Sequence, residues 1–251
     1  MKKPILFGML FVAVLTLCGC LNPHLSSMGA SQMVVAHQPR VDSSLVSLAV
    51  DGFGGAKMTG RNIKDGFSIG ANALLNYRAF GASSPLYLEA GLGGKGGQVS
   101  LKCSESGKCN DLYNAWLKNE GKKDYSFWGL QERLGGGADF DLGPYAVLGV
   151  SAGVQMFQGG GDYDDVRLDT LGKNMADNDD EGYGIKVYSS VYAGARLGQN
   201  GMIVLEGDIM WLKTMNFGLM LSYFHPSGFH GGIFAAEKVG YGVNFGKTFS
   251  F

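Results

Sequence analysis

Charge is scarce in this chain. Only 17% of its 251 residues are Asp, Glu, Lys or Arg, against about 25% in an ordinary soluble domain. The formal net charge is -1, and no basic stretch carries interleaved aromatics, so no nucleic acid is expected as a partner. After Leu21 there is no run of eighteen apolar residues, which excludes a membrane-spanning helix. Cysteine is limited to four residues. Cys103 and Cys109 have no second pair or histidine cluster beside them, so the pattern calls for no metal and no cofactor. They bracket a short polar loop, Ser104 to Lys108, and are read as candidates for a disulfide in an oxidising compartment. What the chain has in quantity is glycine, 41 residues, and aromatics, 12%.

The amino end has the anatomy of an export signal. Lys2 and Lys3 precede an apolar run from Ile5 to Leu17, a charged start followed by a hydrophobic core too short to span a bilayer. The run ends in Leu17-Cys18-Gly19-Cys20, which resembles the bacterial lipoprotein box. That resemblance implies removal of residues 1–19 and acylation of Cys20, whereas Cys18 lacks a small residue just before it. Several acyl chains, at ~0.8 kcal/mol per buried methylene, make such an anchor effectively permanent. Residues 20–43 are polar and mixed, with Asn22-Pro23 and Gln38-Pro39, and are expected to form a tether. Residues 44–251 remain for one folded unit.

Period-two alternation dominates that unit and predicts strands with two unlike faces. Phe67, Ile69, Ala71, Ala73, Leu75 and Tyr77 oppose Ser68, Gly70, Asn72, Asn76 and Arg78, and Leu86 to Leu92 continue in the same sense. Further segments run over 128–140, 145–157, 185–197, 202–212 and 216–224. A weaker one lies at 45–53, a short one near 230–236, and a closing one begins at about 239. The total is about ten, an even number as closed single-chain barrels require. Loss of the two weak strands would leave eight. Short turns at 81–85, 141–144, 198–201 and 225–228 fall on one end, and two long polar insertions, about 102–124 and 159–183, fall on the other.

The final strand is the most specific segment. Tyr241, Val243, Phe245, Phe249 and Phe251 share one face, and the sequence ends on Phe251. This resembles the C-terminal strand of bacterial outer-membrane β-barrels, whose terminal aromatic face is read by the insertion machinery. The resemblance implies Tyr241, Phe249 and Phe251 as the insertion signal. With its short turns on one end and long loops on the other, the chain resembles the small OmpA-like and opacity-like barrels. The expected fold is thus all-β, an antiparallel transmembrane β-barrel in the bacterial outer membrane. It is expected to be monomeric, surrounded by outer-membrane lipid, and inserted by the barrel-assembly machinery. The lipoprotein box departs from that family's usual pattern.

The inward face predicts a lumen charge network of Arg78, Glu89, Lys95, Arg133, Asp139, Lys186, Arg196, Glu206 and Asp208. In so narrow a barrel, side chains of both signs nearly fill the interior and plug it. The second insertion carries an acidic run, Asp177-Asn178-Asp179-Asp180-Glu181, without the spaced bidentate Glu of a helical calcium loop, and reads as a solvated acidic loop. One arrangement hints at catalysis. His225 and Ser227, with Glu237 ten residues beyond the first, faintly resemble the His-x-Ser and downstream Glu of lipid A deacylases. That likeness implies a base, a nucleophile and an orienting acid. The Glu spacing differs from that family, and Gly228 stands where Asn commonly follows, so no enzyme is expected. The sequence predicts a structural or surface-interaction role for the long loops, whose partner it does not identify. The competing reading is a narrow porin-like channel for small solutes, and a lipid A acyl hydrolase comes third.

Overall fold

A computed structural model describes residues 33–39, 45–58, 63–101, 124–163, 184–211, 215–237 and 239–251. Ten antiparallel strands close into a barrel: β1 Val46–Ala56, β2 Ile63–Tyr77, β3 Leu86–Leu101, β4 Asp124–Asp141, β5 Ala146–Gly160, β6 Ile185–Arg196, β7 Met202–Trp211, β8 Asn216–Phe224, β9 Phe229–Ala236 and β10 Gly240–Ser250. Each strand pairs with its neighbours in sequence, and β1 pairs with β10 from Ser47 opposite Ser250 to Ala56 opposite Tyr241. No edge is left to be satisfied by water, which is what a sheet needs before it can face hydrocarbon.

The side-chain period fixes which face is which. On β2, Phe67 and Ile69 point outward while Ser68 and Asn72 are buried, and on β7, Ile203 and Leu205 point outward while Val204 and Glu206 are buried. Both weak segments of the sequence are strands. β1 is eleven residues long, and β9 spans eight. β5 runs on to Gly160, three residues beyond the alternating segment that ends at 157.

Tight connections between β2 and β3, β4 and β5, β6 and β7, and β8 and β9 lie on one end, called here the turn end. At the β4–β5 connection Gly143 has φ +94° and donates its N–H to Asp141 Oδ1 at 3.0 Å. This is an Asx-type turn needing a residue without Cβ strain. Gly228 plays the same part between β8 and β9, with φ +86° and its N–H bonded to the His225 carbonyl at 2.9 Å. The two long insertions leave from the opposite, loop end.

One finding departs from the tether expected over 20–43. Residues 33–39 lie inside the barrel. Met33, Val34, Val35, Ala36 and His37 are each at most 4% exposed. Val34 and Ala36 pack with Phe53, Met220 and Phe234, while Met33 and Val35 pack with Ala49 and Leu74. A segment whose successive side chains are apolar and pack on different walls can satisfy two facing walls at once, and at about 1.5–3 kcal/mol per buried large aliphatic side chain these contacts are substantial. This segment is termed the strap.

Candidate functional site

The site is the lumen, and its centre is His37. The strap carries this ring between β3 and β7. Nδ1 meets Glu206 Oε1 and Nε2 lies 3.2 Å from Glu89 Oε2, so both N–H groups of an imidazolium have a carboxylate partner. The His37 backbone N–H donates to Glu206 Oε2 at 3.1 Å, and the ring stacks on Tyr192 at 5.2 Å between centroids. Three residues earlier, the Val34 carbonyl accepts from Asn72 Nδ2 at 2.6 Å. The strap therefore has polar as well as apolar fixings to the wall.

Around it the wall carries a connected polar network. Arg133 Nε donates to Glu89 Oε1 at 2.8 Å, and Nη2 donates to Ser151 Oγ at 3.2 Å and Ser190 Oγ at 3.1 Å. The guanidinium carbon sits 3.8 Å from the Tyr188 ring centroid, and the Tyr188 hydroxyl donates to Glu89. Ser190 in turn donates to Asp208. Nearer the turn end Arg78 pairs with Asp139, which also accepts from the Tyr192 hydroxyl, and Tyr192 and Tyr87 share a hydrogen bond of 2.8 Å. Nearer the loop end Lys186 Nζ donates to Asn216 Oδ1 at 2.8 Å. Buried charges persist where each has partners of this kind.

Eight of the nine network residues expected from the sequence are buried in the lumen: Arg78, Glu89, Lys95, Arg133, Asp139, Lys186, Glu206 and Asp208. Arg196 is the correction. It is the last residue of β6, so its inward side chain reaches the turn-end rim and pairs with exposed Asp141 at 3.0 Å and the Gly143 carbonyl at 2.6 Å. Sequence reasoning missed a second cluster on the wall of β1, β9 and β10. There His230 Nε2 and Asn244 Nδ2 both meet Asp51 Oδ1, at 2.8 and 3.0 Å. Asp51 has the inward parity opposite Val50, a signal obscured by the irregular start of that strand. The strap itself had one signal: Met33-Val34-Val35-Ala36 is an apolar tetrad in an otherwise polar stretch.

His225 and Ser227 do touch, with Nδ1 and Oγ 2.7 Å apart in the exposed β8–β9 turn. Glu237 stands at the far end of β9, where Oε2 accepts from the Phe217 N–H at 3.2 Å. The eight residues of β9 separate them, ~26 Å at ~3.3 Å per residue, so the three do not assemble a triad. The pair is a local turn contact of the kind Ser supplies. Tyr241 faces outward at the loop end, and Phe249 and Phe251 face outward at the turn end. Cys20, Cys103, Cys109 and the acidic run 177–181 lie outside the described residues.

No protein-family model matches the chain, and no curated protein matches it. Solved structures similar to it include an outer membrane channel from Pseudomonas putida F1, at 10% identity and TM-score 0.43, covering 87% of this chain and 100% of that one. The outer membrane protein OprG from Pseudomonas aeruginosa aligns at 12% identity and TM-score 0.40, covering 83% and 97%. Ail, the attachment invasion locus protein of Yersinia pestis, aligns at 11% identity and TM-score 0.33, covering 82% and 99%.

Proposed function

We propose that the chain is a monomeric β-barrel of the bacterial outer membrane, sealed in its resting state, acylated at Cys20, and serving a structural or surface-interaction role through its two long insertions. The observation that carries this reading is the outer surface. Aliphatic side chains cover its middle, among them Ile69, Leu88, Leu92, Val191, Leu205, Leu219, Ile233 and Val243, all exposed. Aromatic rings bound that band on both sides. Phe67, Trp128, Trp211, Phe217 and Tyr241 stand toward the loop end, and Phe140, Tyr223, Phe229, Phe249 and Phe251 toward the turn end. Ten residues along β2 separate Phe67 from Tyr77, about 25 Å of height for a strand tilted ~40°, which equals the apolar band of an outer-membrane barrel.

A water-soluble protein would not present so large an apolar surface, in which Glu132 lies buried beside Leu92 and Met156, and water outside with Glu89 and Arg133 inside would invert the usual order of solvation. Lys247 fits the same reading. It is the one outward-facing lysine among the rings of β10, with Nζ 4.5 Å from the Phe229 centroid and 5.2 Å from that of Phe249, placed at the turn-end rim where a cation reaches headgroups. Purified protein in detergent is expected to migrate differently on a gel before and after boiling, because a closed barrel resists unfolding until heated. Identical mobility would overturn the membrane-barrel reading. The role assigns no reaction to any residue.

A further inference from the structure

The lumen wall is unevenly charged where the strap crosses it. At the level of His37 the strands supply Glu89 from β3, Arg133 from β4, and Glu206 and Asp208 from β7. That is three carboxylates against one guanidinium. Arg133 is spent on Glu89 and on the Ser151 and Ser190 hydroxyls. Both Glu206 oxygens instead receive donors from His37, one from the ring and one from the backbone N–H.

In the ring of ten strands β3 and β7 are four places apart in one direction and six in the other, so they face each other across the lumen. His37 bridges them. The other lumen cations stand elsewhere. Arg78 is paired with Asp139 toward the turn end, Lys186 bonds Asn216 toward the loop end, and Lys95 lies six residues beyond Glu89 along β3.

We propose that the barrel has a latent second activity, conduction of small cations, held shut by the strap at residues 33–39. Withdrawal of the strap empties the cross-section of one polypeptide segment, roughly 5 by 10 Å, enough for a monovalent cation with part of its water. It also leaves Glu89 and Glu206 without their strap partner, with Asp208 beside them on β7, and a ring of acidic side chains selects cations. His37 is on this account the keying residue of an internal gate, and the apolar flanks Met33 to Ala36 supply its grip.

The inference rests on the membrane-barrel reading above, and the two are separable. The boiling-dependent gel shift reports the barrel, and planar-bilayer current reports the gate. Three variants are compared with the wild type: His37→Ala and His37→Glu in the full-length chain, and deletion of residues 33–39. Wild type is expected to be silent. Variants that keep the gel shift are expected to give discrete currents whose reversal potential across a KCl gradient has the cation sign, largest for the deletion. Adding Glu89→Gln and Glu206→Gln is expected to abolish that preference while leaving current. Silent but folded variants, wild-type current equal to that of the variants, or an anion sign would each overturn the proposal. Loss of the gel shift in all three would do the same, because it would make the strap an inseparable part of the fold.

Discussion

Arg133 is held by Glu89, Ser151, Ser190 and the Tyr188 ring, and every one of these partners is buried. Removing the cation alone leaves Glu89 without its guanidinium in a buried site, a change that costs about 3–5 kcal/mol. Arg133→Met is therefore expected to lower the urea midpoint of the refolded barrel, read from the boiling-dependent band. Arg133→Met combined with Glu89→Gln is expected to recover much of the loss, since the stranded charge goes too. The charged residues of the wall were legible in the sequence because strand parity assigns a face. Parity does not assign depth. Arg196 has the same parity as Lys186 but ends its strand, so it meets solvent and Asp141 rather than the lumen. Asp51 and His230 escaped notice for a different reason: each lies on one of the two strands with the weakest alternation.

At the scale of elements, small and large side chains interlock across neighbouring strands. Gly149 of β5 lies opposite Tyr192 of β6 in the register, and a Cβ at Gly149 would run into the Tyr192 ring. That ring has to stay where it is to bond Tyr87 and Asp139 and to stack on His37. Gly149→Ala is expected to destabilise the barrel by about 1–3 kcal/mol as an overpacking change. A urea titration would show it, and Tyr192→Ser in the same chain should restore part of the midpoint. Ten strands and four tight turns could be read from the sequence because outward apolar residues and turn-forming Gly, Pro and Asp recur at regular intervals. The strap could not be read that way. Seven residues are too few to display a period, and no partner strand marks them. Polar neighbours on both sides give the composition of a linker, and only the burial of Met33 to His37 reveals that the tetrad is packing material.

At the scale of the whole molecule two attachments to the membrane are expected, a belt of side chains and an acyl group. They separate by experiment. Cys20→Ala is expected to abolish incorporation of labelled palmitate while the gel shift persists, and Cys18→Ala is expected to leave both unchanged. Label retained in Cys20→Ala would move the anchor elsewhere. The joint between the strap and the barrel adds something of another kind. Leu45 and Val46 both donate their N–H groups to the Phe251 carbonyl, and Val46 accepts from Phe251 in return. The residue that follows the strap by a few positions is thus sewn to the last residue of the sequence. This seam makes assembly a problem of order. The strap has to lie in the open trough of the sheet before Ser47 meets Ser250, or else be drawn like a cord through the turn-end mouth of a finished tube. A chain that shuts too early has every strand paired correctly and still leaves the strap outside its bore.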